Sequence, residues 1–99
     1  MGVAVFSVDN EHKGKIRDVT SDDLVSRQSI TIRDASALSI EKEAQIIVIE
    51  GEDEALDRAR ELFKDIGEEQ DDAKSSEILE KIKSEEEDAA EGVGFIFGD

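Results

Sequence analysis

The chain has 99 residues with 27 acidic and 12 basic side chains, a formal net charge of −15, four Phe, one His, and no Cys, Pro, Trp or Tyr. That length allows one modest, largely aliphatic core and excludes two. The missing cysteines exclude a disulfide frame, a zinc–thiolate site and a thiol nucleophile, and they point to a reducing, cytoplasmic setting.

The charge is unevenly spread. Residues 1–50 hold nine acids and six bases, residues 51–66 six and three, and residues 67–99 twelve and three, so the last third alone carries −9. Such a field repels phosphate backbones and argues against general nucleic-acid binding; it favours basic partners or divalent cations. Abundant acidic residues and Ile with no Cys or Pro also suit a heat- or salt-adapted source. No apolar run approaches a bilayer span, and MGVAVFSV lacks the basic flank and length of a signal peptide, so no membrane role is expected.

In chain order, Met1 to Val8 reads as a first strand, with Val3 and Val5 on one face and Ala4 and Phe6 on the other; apolarity on both faces places it inside a sheet. Asp9 to Thr20 reads as a polar connector around Gly14, and Thr20 or Ser21 as the N-cap of a short helix through SDDLVSR. Gln28 to Arg33 alternates, with Ile30 and Ile32 directed inward, as a half-buried strand does. Asp34 to Ser36 can turn the chain. Ala37 to Glu41 fits either a short strand or the second half of a bent loop, and Lys42 to Ala44 turns into the central strand.

The organising stretch is Gln45 to Ile66, QIIVIEGEDEALDRARELFKDI. Ile46, Ile47, Val48 and Ile49 are β-branched and contiguous, which predicts a strand buried on both faces. Gly51 lets the chain turn, and Glu52, Asp53 and Glu54 put negative charge at the electropositive start of a helix. Ala55, Leu56, Ala59, Leu62, Phe63 and Ile66 then recur at helical spacing. Burying Leu56, Leu62, Phe63 and Ile66 is worth roughly 1.5–3 kcal/mol each. Gly67 is placed to cap the helix C-terminus.

Residues 68–72 read as a charged linker and Ala73 to Ala90 as a second helix, with Ile78, Leu79 and Ile82 on one side. Glu85 to Asp88 stand near its C-terminal end, where the macrodipole disfavours them. Gly92 to Gly98 alternates Val93, Phe95 and Phe97, and reads as a last strand or as a tail that docks on a partner's sheet edge, a second copy included.

Three groups of residues carry candidate chemistry. Lys13, Lys15 and Arg17, with His12 and Gly14 among them, form the one local positive cluster, able to hold a phosphate or another anion. It is not a Walker motif, since the upstream glycine and the downstream Ser or Thr are missing. The acidic groups 68–72 and 85–88 offer hard oxygen ligands but lack the spacing and glycine of an EF-hand loop. Val93, Phe95 and Phe97 are the candidate docking residues. Nothing singles out a carboxylate pair or a nucleophile with its base, and no pattern asks for a cofactor or a metal.

The stretch Ala44 to Ile66, an apolar strand ending in a glycine before a helix with a paired-alanine pattern, resembles the strand-glycine-helix half of a KH domain. That family contacts nucleic acid through a GXXG loop between two helices. This chain has no GXXG and joins its helices by the acidic DIGEEQDD, so the resemblance implies no binding residues here. The overall composition is also similar to that of small acidic archaeal proteins.

The expectation is one α+β domain: a small antiparallel or mixed sheet packed by helices in the order β-α-β-β-α-α-β, ferredoxin-like or KH-like. Residues 67–91 form its acidic helical segment and 92–99 its apolar tail or last strand. Two-sided apolar strands in an open sheet need a second cover, supplied by a homodimer, the added helix or the tail. The function expected is a non-catalytic protein-interaction or regulatory module; the alternative is a phosphate- or nucleic-acid-binding module using the loop at 12–17.

Overall fold

The structure, a computed structural model, describes residues 2–84. Four strands, β1 (Gly2–Asp9), β2 (Ser29–Asp34), β3 (Ala44–Gly51) and β4 (Gly67–Glu69), form one sheet in the order β2-β3-β1-β4. Every neighbouring pair is antiparallel. Helix α1 (Ile16–Thr20) joins β1 to β2, α2 (Asp53–Phe63) joins β3 to β4, and α3 follows over 72–84. The fold is therefore α+β, and its first six elements follow the split β-α-β plan of ferredoxin-like domains.

The central strands behave as their composition dictates. Ile46, Ile47, Val48 and Ile49 are all buried, as are Ala4, Val5 and Phe6 opposite them. The register sets Val5 against Val48 and Phe6 against Ile47, so alternate residues feed two separate cores. On the first face Phe6, Val8, Ile47 and Ile49 pack under Ile16 and Val19 of α1 and Leu56, Ala59 and Phe63 of α2. The Phe6 and Phe63 rings stack with centroids 4.5 Å apart. On the second face Val5, Ile46 and Val48 meet Leu38 from the β2–β3 connection and Ile78 and Ile82 of α3. The added helix thus covers the face that the sequence left bare.

Several elements stand elsewhere than the sequence suggested. Residues 9–20 are not a plain connector: a 3₁₀ turn over Asn10–Lys15 leads into α1, because Ile16 and Val19 are spaced to bury together on the sheet. The SDDLVSR stretch holds only a 3₁₀ turn, Val25–Arg27. Residues 37–41 are the bent loop rather than a strand. A 3₁₀ turn over Ala35–Leu38 buries Ala35 and Leu38 and ends at Ser39 in the left-handed region, φ 60°.

Both glycines flanking α2 act through space rather than through positive φ. A Cβ on Gly51 would fall on the Gln28 side chain, whose Oε1 accepts the Glu52 N–H at 3.1 Å and so satisfies the first turn of α2. Gly67 does not cap α2, which ends at Phe63. It opens β4, where a Cβ would lie 2.5 Å from the Ser7 carbonyl oxygen. Hence the charged linker supplies the fourth strand. Asp71 then caps α3, accepting the Lys74 N–H at 2.8 Å. The tail at 92–99 and the acids at 85–88 lie outside the described residues.

Candidate functional site

The residues of the basic cluster are set out by the turn-and-helix segment that follows β1. Asn10 anchors it, its N–H donating to the Glu43 carbonyl at 3.1 Å, and Ile16 and Val19 pin it to the sheet. The cations at 13, 15 and 17 are thereby left on the solvent side. Lys13 and Arg17, four residues apart, stand on one wall of a groove of about 420 Å³. Ile32 of β2, Gln45 of β3, and Ile16 and Thr20 of α1 complete its lining.

The exposure of Ile32, 40%, has a simple cause. Its strand neighbour Ile30 packs against the first core, but α1 is five residues long and stops short of covering Ile32. The groove includes Ile32 of β2, a strand that among the described residues pairs with β3 alone and so stands at the edge of the sheet. One backbone acceptor of this strand, the Ile32 carbonyl, is met by the Arg33 guanidinium at 3.0 Å. Gln45 Nε2 donates to Asn10 Oδ1 at 3.3 Å and also to Asp34 Oδ1, tying the loop, β3 and β2 together at one end.

Three cations elsewhere are matched. On α2, Arg58 bonds Asp22 at 3.2 Å and Glu61 at 3.2 Å, and Arg60 bonds Asp57 at 2.7 Å and Glu69 at 2.9 Å. On α3, Lys81 meets Glu77 at 3.5 Å. Both arginines are held above their ordinary pKa, chiefly by the hydrogen bonds to Asp22 and Glu69 respectively. Lys13 and Arg17 carry no ion pair among the described residues.

The structure therefore brings together two of the three candidate anion-binding residues, Lys13 and Arg17, and leaves Lys15 off the groove. Gly14 makes no close approach to anything, since a Cβ there would meet nothing within 4 Å. The positive end of the site is therefore its side chains, not a glycine cradle. His12 is half-buried and is not among the residues lining the groove. Val93, Phe95 and Phe97 lie outside the described residues.

Of the acids at 68–72, Glu69 binds Arg60 and Asp71 caps α3. Among the described residues no group of three His, Cys, Asp or Glu side chains comes together as a metal site, and no helix is long and apolar enough to cross a membrane. Sequence reasoning missed Ile32, Thr20 and Gln45 as groove residues, because their meeting depends on the register of β2 on β3 and on where α1 starts. No protein-family model matches the sequence, and comparison with curated proteins and with solved structures returns no significant match.

Proposed function

We propose that this protein is a small non-catalytic interaction module that takes an acidic, partly apolar, extended segment of a partner protein along the outer edge of β2. The observation that carries the reading is the pairing of two uncommitted cations, Lys13 and Arg17, with the half-exposed Ile32 beside an unpaired strand edge. An added strand gains main-chain hydrogen bonds at such an edge, and alternate side chains enter the neighbouring groove. Carboxylates would meet Lys13 and Arg17 while an apolar side chain covers Ile32 and Ile16.

The other candidate, a phosphate- or nucleic-acid-binding module on the same loop, shares the cations but not the apolar wall. A polyphosphate has no apolar part to set against Ile32 and Ile16. The chain's own sequence holds a segment of the required chemistry, the acids at 85–88 followed by Val93, Phe95 and Phe97. A second copy is therefore the partner to test first. Repulsion between two acidic copies is largely screened beyond about 8 Å at physiological ionic strength.

Sedimentation equilibrium of the full chain near 0.15 M salt tests this. A reversible dimer is expected, dissociating in the K13E/R17E double variant and after truncation at Glu91, with unchanged circular dichroism in both. A dimer indifferent to both changes overturns the reading. So does a monomer whose β2 and α1 amide resonances ignore an added peptide of alternating Glu and Phe.

A further inference from the structure

The two outer strands of the sheet present different edges. β4 is three residues long and carries Glu68 and Glu69, and a strand so short and so charged is a poor template for another chain. β2 is six residues long, is uncharged from Ser29 to Ile32, and among the described residues pairs with β3 alone.

The register fixes which backbone groups of β2 face outward. In an antiparallel strand the N–H and C=O of one residue point to the same side, and the side alternates along the chain. The Val5 carbonyl accepts the Gln70 N–H at 2.8 Å, so Val5 is turned towards β4 and Phe6 towards β3. Phe6 stands opposite Ile47, which is therefore turned towards β1, while Ile46 and Val48 are turned towards β2. Their partners are Arg33 and Thr31, so Ile30 and Ile32 carry the outward N–H and C=O groups. The Ile32 carbonyl is occupied: Arg33 Nη1 donates to it at 3.0 Å. The guanidinium thus lies where the amide of an added strand has to stand.

An antiparallel newcomer bonded to Ile32 places one residue directly opposite Arg33 in a non-hydrogen-bonded pair, the kind in which side chains come closest. Arg33 is in register with Ile46, on the second face, whereas Ile32 is in register with Ile47, on the first. A carboxylate opposite Arg33 offers the guanidinium a charge-assisted bond in exchange for the carbonyl; a neutral side chain does not.

We infer that Arg33 is the specificity-determining residue of the β2 edge: it caps the Ile32 carbonyl in the free protein and yields it to a strand that brings an acid opposite Arg33, next to an apolar residue opposite Ile32. The inference rests on the strand-addition reading above and adds a position to it, since this acid falls on the second face and the groove with Lys13, Arg17 and Ile32 on the first.

The test is a titration of full-length protein with a capped peptide that has one Glu between two Phe, flanked by Ser and Thr, and with its Glu-to-Gln counterpart. Exchange protection is expected at the Ile30 and Ile32 amides rather than at Thr31 and Arg33, which already face β3. Wild type should bind the Glu peptide about tenfold more tightly than the Gln peptide. Arg33→Ala should bind the two alike, and should take the Gln peptide several-fold more tightly than wild type does, because the carbonyl is uncapped. Arg33 is part of neither core, and Arg33→Met, which keeps the aliphatic stem, should behave as Arg33→Ala does. A preference for Glu that persists in both variants overturns the inference and leaves the strand-addition reading standing, with Lys13 and Arg17 reading the acid. A Gln peptide that binds the variants no better than wild type also overturns it, since the carbonyl was then never withheld. If neither peptide protects Ile30 or Ile32 in any of the proteins, the strand-addition reading itself falls, and the inference with it.

Discussion

One sheet, two faces, two kinds of cover. The first face is sealed by α2, which is separated from the end of β3 by Glu52 alone, so the helix folds straight back over the strand that precedes it. Its core is built from large side chains, with Phe6 and Phe63 stacked at the centre and Ile47 and Ile49 fully buried. The second face is sealed by pieces from distant parts of the chain, a 3₁₀ turn carrying Ala35 and Leu38 and a helix carrying Ile78 and Ile82. It tolerates a lone hydroxyl and a cavity. In this chain the strands that are apolar on both sides receive their second layer from the same chain. The two layers need not be equally tight.

If the first face sets the stability of the domain, Phe63→Ala should have the largest effect of any single truncation. Emptying that site removes the ring stack and leaves a cavity among immobile neighbours, at a cost of roughly 3–5 kcal/mol. That is a large part of the about 5–15 kcal/mol a domain has in total, so urea unfolding should shift to much lower midpoints. Ile78→Ala, on the second face, borders space that already exists, and about 2 kcal/mol is expected, the low end for such a change. The two variants should also differ in kind. Hydrogen exchange should rise in α3 while β1 and β3 keep their protection in Ile78→Ala, and rise everywhere in Phe63→Ala. Equal loss of protection across the sheet in both would show that the two covers unfold as one.

Gly67→Ala probes the seam between the layers. A Cβ there would sit 2.5 Å from the Ser7 carbonyl oxygen and 2.7 Å from Val8 Cγ2. The first of these is backbone and cannot rotate away, so β4 must shift off β1. A cost of about 1–3 kcal/mol is expected, measured again by urea unfolding. The same substitution should expose the amides of β4 to exchange before those of β3.

What was legible in advance follows from how local each cause is. Ile46 to Ile49 and the Ala55, Leu56, Ala59, Phe63 stripe are each decided by side chains that lie side by side, so the strand and helix they form could be read directly. Helix α1 was hidden because only Ile16 and Val19 report it, surrounded by charges that suit a loop equally well. Strand β4 was hidden because Gly67, Glu68 and Glu69 have no strand character of their own; they are extended because the edge of β1 offers them partners. Gly51 was correctly marked as a special position for the wrong reason, since the neighbour that needs the room, Gln28, is distant in sequence. The candidate site divides in the same way. Lys13 and Arg17 are neighbours by helical spacing, whereas Ile32 and Gln45 reach them only through the strand register.

The smallest expected effect concerns how the first cover is fastened at its rim. Asp22, in the connector after α1, accepts the amides of Leu24 and Val25 at 3.1 and 3.4 Å and binds Arg58 of α2 at 3.2 Å. Partial desolvation works against its charged form, but the hydrogen bond from Arg58, the two amides and the attraction of the guanidinium outweigh it, and its pKa lies below the ordinary carboxylate value. A lowered folded-state pKa means that the unfolded chain binds the proton more readily, so the pair stabilises the fold above the unfolded value of about 3.9 and loses that contribution as pH falls through the lower folded value. Stability should therefore drop on acidification in that window, and Asp22→Asn should flatten that part of the profile by lowering the neutral-pH midpoint slightly, the two proteins converging at low pH, since its side-chain oxygen can still accept from the amides but no longer carries the charge. Because the pair is exposed at its arginine end, added salt should shrink the difference between wild type and variant. If thermal unfolding between pH 3 and 5 shows the same slope in both proteins, Asp22 does not fasten α2, and the first layer is held by its buried side chains alone.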